Sequence, residues 1–189
     1  MHRALVATAA LAALLGCGAC ERKPSAPAPV ASRADLSDVI TQAEAQAAQR
    51  EAERPPCSGK VTLYSGSIAV DSKEHQHAVE RDGDYVEAPI DGLDKVVSTA
   101  PELRFTLEYP FEKPFSGRVK GPVTLRRIID AVRAGFRQMY EGATQRDIPG
   151  LYNKDVRGPY GRAFHAIDDL VIEHLELCDD GSLEIGIGS

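Results

Sequence analysis

Leu103, Phe105, Leu107, Tyr109 and Phe111 alternate with Arg104, Thr106, Glu108 and Pro110, and no other stretch constrains the fold as strongly. A period of two puts every second side chain on one face only in an extended strand. The segment therefore predicts a half-buried antiparallel strand. Pro110 has no N–H to give a ladder, which limits the strand to a sheet edge or places the proline at its end. Further on the period lengthens. Between Val123 and Tyr140, the residues Leu125, Ile128, Ile129, Val132, Phe136, Met139 and Tyr140 form one stripe of an amphipathic helix. Gly121-Pro122 punctuates its start and Thr124 is positioned as the N-cap. Its outward face is expected to carry Arg126, Arg127, Arg133 and Arg137 against a single Asp130.

Other segments read as strands. Val61 to Val70 is β-rich, with Gly66 marking a bulge. His77–Arg81 and Asp84–Glu87 flank Asp82-Gly83, the turn pair of a two-residue hairpin that sets Arg81 opposite Asp84 and Val79 opposite Val86. Leu170–Leu177 and Leu183–Ile187 read as a terminal hairpin, while residues 142–164 read as a long Gly/Pro/Tyr loop. The expected fold class is α+β, a single domain over residues 55–189 with an antiparallel sheet and one principal amphipathic helix packed on it. A length of 189 residues leaves room for little else. The formal charge of −6 argues against a phosphate-backbone partner, so no nucleic acid is expected. No Walker A or G-x-G-x-x-G loop supports a nucleotide, and no cofactor is expected.

The N-terminus speaks to location. Met1-His2-Arg3 is a short positive start, Ala4–Leu15 is a run of Ala, Leu and Val broken only by Thr8, and Gly16-Cys17 follows. Such an order is a secretory signal, too short to serve as a transmembrane helix. Leu14-Leu15-Gly16-Cys17 resembles the lipobox of bacterial lipoproteins. The resemblance implies that the Cys17 thiol receives a diacylglycerol, that cleavage falls before it, and that the new amine is acylated. Gly18 in place of an Asp implies outer-membrane sorting. On this reading residues 1–16 are the signal peptide, 17–34 the lipidated Cys with a Pro/Ala-rich tether, and 35–54 a helical stalk docked through Leu36 and Ile40. The membrane, reached through the lipid on Cys17, is the first partner. Another envelope protein or a cell-wall component is the second.

Export also bears on the cysteines. Cys57 and Cys178 border the first and penultimate strands, and an oxidising compartment predicts a disulfide between them. Cys20 lies in the tether. His75 and His77 have strand spacing for a shared metal, but no carboxylate or Cys cluster completes a site in sequence, so surface histidines are expected and no metal is assigned. The richest segment gathers Tyr152, Asn153, Tyr160, Arg162, His165, Asp168 and Asp169 on the expected loop, a candidate binding loop. His165 with Asp168 or Asp169 would be the oriented imidazole of a hydrolase, yet no nucleophile motif accompanies it, and no catalytic residue is assigned. The leading expectation is a membrane-anchored, non-enzymatic binding module. The alternatives are an envelope hydrolase at His165 and a small-ligand or metal binder at the same loop.

Overall fold

A computed structural model of the chain describes residues 33–53 and 57–189. The signal peptide, the lipobox with Cys17, the tether through residue 32 and the Leu36 side chain lie outside the described residues. In chain order the elements are α1 (Arg33–Glu53), β1 (Val61–Ala69), β2 (Gln76–Arg81), β3 (Asp84–Pro89), β4 (Val96–Ser98), β5 (Glu102–Leu107), β6 (Phe115–Lys120), β7 (Val123–Thr124) and α2 (Leu125–Tyr140). There follow β8 (Thr144–Asp147), β9 (Lys154–Gly158), β10 (Gly161–Ala163), a 3₁₀ turn (Ile167–Asp169), β11 (Val171–Leu177) and β12 (Ser182–Gly188).

The class is α+β, with several sheets rather than the single one expected. The main sheet has five strands in the order β1-β11-β12-β5-β6. Every neighbouring pair is antiparallel except β12 and β5, which run parallel, a departure from the all-antiparallel expectation. The alternation in β5 holds: Leu103, Phe105 and Leu107 are buried, while Arg104 and Thr106 are exposed. Pro110 lies beyond the end of the strand, with β5 itself interior to the sheet. The inner face of the sheet joins Ile128, Ile129, Val132, Phe136 and Met139 of α2 in one core. Thr124 caps that helix, its side chain accepting from the Arg127 N–H. Gly135 lies where α2 crosses the sheet; a Cβ there would stand 2.8 Å from the Phe115 ring.

Asp82 (φ 55°) and Gly83 (φ 88°) make the expected turn, and β2 pairs with β3 in the expected register. Asp tolerates the left-handed region and Gly enters it freely, which is why this pair closes so tight a hairpin. The terminal hairpin forms as β11 and β12, and β1 shifts register between Ser65 and Ile68 around Gly66.

Two further expectations fail. Residues 142–164 are not a loop but contain β8, β9 and β10, a separate three-stranded sheet. Their polar side chains concealed the strands: β8 is exposed throughout, and β9 and β10 each bury a single residue, Val156 and Ala163. Arg133 is not on the outward face of α2. It is 2% exposed, and its Nε and Nη2 donate to the Ala69 carbonyl at 3.2 and 2.8 Å. Burial pushes its pKa down, with Asp130 partly opposing. The remaining arginines do not form one free basic face either: Arg126 is forked onto Asp94 at 2.7 and 2.9 Å, and Arg127 donates to Pro122 O at 2.6 Å. Ile40 of α1 is buried with Ile148 and Phe164 in a second, smaller cluster.

Candidate functional site

The segment selected from sequence is distributed over structural tasks. Tyr152 sits wholly exposed in the connection from β8 to β9, and Asn153 beside it is half-buried. Tyr160, in the β9–β10 turn, packs its ring against Phe111 and Phe115 with centroids at 6.5 and 6.2 Å. Its carbonyl accepts from the Lys113 N–H. Arg162 donates from Nε to Asp155 at 2.7 Å and lies 4.7 Å from the centroid of Phe164. Burial alone would push Asp155 up, but the Arg162 and Arg157 guanidiniums outweigh it and hold the carboxyl below its usual range.

The imidazole and carboxylates of the expected hydrolytic group are not joined. His165 faces the ring of Tyr109 at 5.6 Å, and its carbonyl accepts from the Tyr140 hydroxyl at 2.7 Å. Asp169 closes the 3₁₀ turn by accepting from the Ala166 N–H at 2.9 Å, and Asp168 is exposed. Among the described residues, no hydrogen bond links the His165 ring to either aspartate. Burial lowers the His165 pKa, with Asp169 and Glu44 opposing. The group therefore binds its proton more weakly folded than unfolded. Its neutral form favours folding, and stability falls as the pH drops through the ordinary value of ~6.5 toward the lower folded value. Between pH ~7 and ~5 the thermal midpoint of a His165→Gln variant is expected to decline less steeply than that of the wild type. Parallel decline of the two in melts followed by circular dichroism would show that His165 contributes nothing to this limb.

The two histidines read as surface residues have separate partners. Arg126 Nη1 donates to His75 Nδ1 at 3.2 Å, so His75 Nε2 carries the proton toward Asp130 Oδ1 at 2.8 Å. His77 Nδ1 meets the Tyr64 hydroxyl at 3.2 Å. Neither joins a group of three possible metal ligands among the described residues.

The surface that sequence reasoning missed is the outward face of the main sheet. A groove of about 440 Å³ lies between α1 and this face. Glu44 and Ala48 form its helix side, and Thr106, Tyr109, Glu173 and His174 are among its sheet side. Gly186 and Gly188 belong to the floor, where a Cβ on Gly188 would overlap the Glu173 side chain. The groove adjoins the sequence-selected segment through Tyr109, whose ring touches His165. Next to it, Lys60 bridges Glu176 and Glu184 at 2.9 Å each. The Cys57–Cys178 disulfide lies nearby, its Cα atoms 5.4 Å apart. A sequence signal for this face existed. Glu176 and His174 alternate on one strand of the expected terminal hairpin, and pairing it through Asp179–Ser182 sets Glu184 opposite. No helix among the described residues is long and apolar enough to cross a membrane. Compared with protein-family models, with curated proteins and with solved structures, the chain matches none of them.

Proposed function

We propose that this chain is a bacterial envelope lipoprotein, anchored through a lipid on Cys17 and most consistent with outer-membrane sorting, whose folded domain binds a partner rather than catalysing a reaction. The partner is another envelope protein or a cell-wall component. The observation that carries the reading is the groove between α1 and the outward sheet face, open and walled by the carboxylates of Glu44 and Glu173. Polar walls with a few apolar contacts from Tyr109, Ile185 and Ile187 suit recognition of an extended, amine-bearing segment. Against chemistry at the sequence-selected segment stands the dispersal of His165, Asp168 and Asp169 described above: among the described residues no hydrogen bond holds the His165 ring to either carboxylate.

The test is a photo-crosslinking residue placed at Ala48 in the full chain expressed in cells, with Tyr85, exposed on the β2–β3 hairpin, as the control position. A discrete adduct is expected from position 48 only, and Glu173→Lys is expected to reduce it at least ~10-fold, as reversal of a wall charge should. Adducts equal at both positions, or unaffected by Glu173→Lys, would remove the groove from consideration. An esterase or amidase activity of the purified protein that a folded His165→Ala variant lacks would replace the binding reading with an enzymatic one.

A further inference from the structure

The terminal hairpin sets Glu176 directly opposite Glu184, and His174 opposite Gly186. Like charges facing each other across a ladder repel. Lys60, immediately before β1, relieves that repulsion, with Nζ 2.9 Å from an oxygen of each carboxylate. The ammonium holds the Glu176 carboxyl below its usual range and is itself raised by Glu176 and Glu184. Two facing carboxylates thus have a cation seated between them.

His174 adds a third donor to the same place. It lies two residues before Glu176, on the same sheet face. One ring nitrogen of His174 and one oxygen each of Glu176 and Glu184 all lie within 4.8 Å of one another. Gly186 makes this possible, since a Cβ at that position would overlap the imidazole. The missing side chain lets the ring lie across β12 instead of standing away from it.

We propose that His174, Glu176 and Glu184 form a site for one divalent transition-metal ion, zinc in the first instance, which takes the place of the Lys60 ammonium. The donor set selects the ion class. An imidazole with two carboxylates suits zinc and its neighbours, whereas calcium and magnesium favour all-oxygen shells. Donors on a tetrahedral zinc stand roughly 3.3 Å apart, from bond lengths of about 2.0–2.1 Å. Closing onto the ion therefore takes small rotations of side chains that are only part-buried: those of Glu176 and Glu184 are 20% and 25% exposed. Lys60, at 40% exposed, has room to swing into solvent. Three protein ligands leave a coordination position open, and His174 also lines the groove, so the site adjoins it. The neighbouring Cys57 and Cys178 sulfurs are bonded to each other and are not thiolate ligands. The site stands on this geometry alone and does not depend on the lipid anchor or on the identity of a groove partner.

Lys60 supplies a test that separates a metal site from a self-contained ion-pair cluster. Full-length protein purified in detergent without a polyhistidine tag, and stripped by a chelator, is titrated with zinc chloride in a calorimeter. One zinc per chain is expected, with no comparable binding of calcium. His174→Ala should weaken binding by ~100-fold or more, as loss of a direct ligand exceeds the 10–100-fold typical of outer-shell changes. Lys60→Met, which removes the competing cation, should tighten it by roughly tenfold, whereas a purely structural lysine predicts no gain in affinity. Glu184→Gln serves as a second ligand variant, and each protein is first checked for a wild-type thermal transition. Absence of zinc binding in both wild type and Lys60→Met overturns the proposal, as does a His174→Ala titration that superimposes on the wild type.

Discussion

Replacing Cys17 by Ser is expected to abolish incorporation of a tagged fatty acid. The expectation rests on the Arg3, Ala/Leu and Leu-Leu-Gly-Cys order of the first 17 residues. Anchoring energy comes from buried methylenes at ~0.8 kcal/mol each, so two or three acyl chains hold a protein stably where one holds it marginally. On the lipoprotein reading, all of that is attached through one sulfur and the amine beside it. Loss of labelling should therefore be complete rather than graded. Cys20→Ser, three residues on, should label and fractionate as the wild type does. Equal labelling of the wild type and Cys17→Ser would refute the lipoprotein reading, while leaving the zinc proposal untouched.

The largest stability effect is expected from the Cys57→Ser/Cys178→Ser double variant. The bridge joins residues 121 apart in sequence, and cross-linking so long a loop removes about 4–5 kcal/mol of chain entropy from the unfolded state in the loop-closure model. The Cα separation of 5.4 Å falls in the usual range for a bridge, so the backbone need not shift to accommodate it. Backbone hydrogen bonds around it, Asp179 N–H to Ser58 O and Cys178 N–H to Ser182 O, do not involve the sulfurs and should limit what is lost. For a domain of this size the loss corresponds to a fall in Tm of roughly 10–20 °C. A double variant melting within ~3 °C of the wild type would show that the bridge contributes little. Because Cys57 leads into Lys60, the same variant should also loosen the Lys60 bridge between Glu176 and Glu184.

The sequence by itself determined those parts of the protein whose causes are local. Asp82-Gly83 dictates its hairpin because two adjacent residues can take positive φ. Alternation from Leu103 to Leu107 and the stripe from Leu125 to Tyr140 identify a half-buried strand and a core helix because burial follows the period of the backbone. Cys57 and Cys178 were readable as partners because the signal-like N-terminus implied an oxidising compartment, in which two domain cysteines are expected to pair. Other features were decided only by tertiary structure. Arg133 looks outward-facing on its helix, yet it is buried because the Ala69 carbonyl, 64 residues away in sequence, needs donors there. Strands β8 to β10 carry few apolar side chains, so their pairing, not their pattern, reveals them. His165 was legible as an imidazole near carboxylates, but ring packing on Tyr109 and the turn closed by Asp169 decided what each side chain does. The parallel junction of β12 with β5 joins segments roughly eighty residues apart, and no local periodicity specifies which strand ends beside which. That junction, together with the packing of α1, is what assembles Glu44, Thr106 and His174 into one groove, because long-range strand order and burial are set by the free energy of the whole core and not by any segment alone.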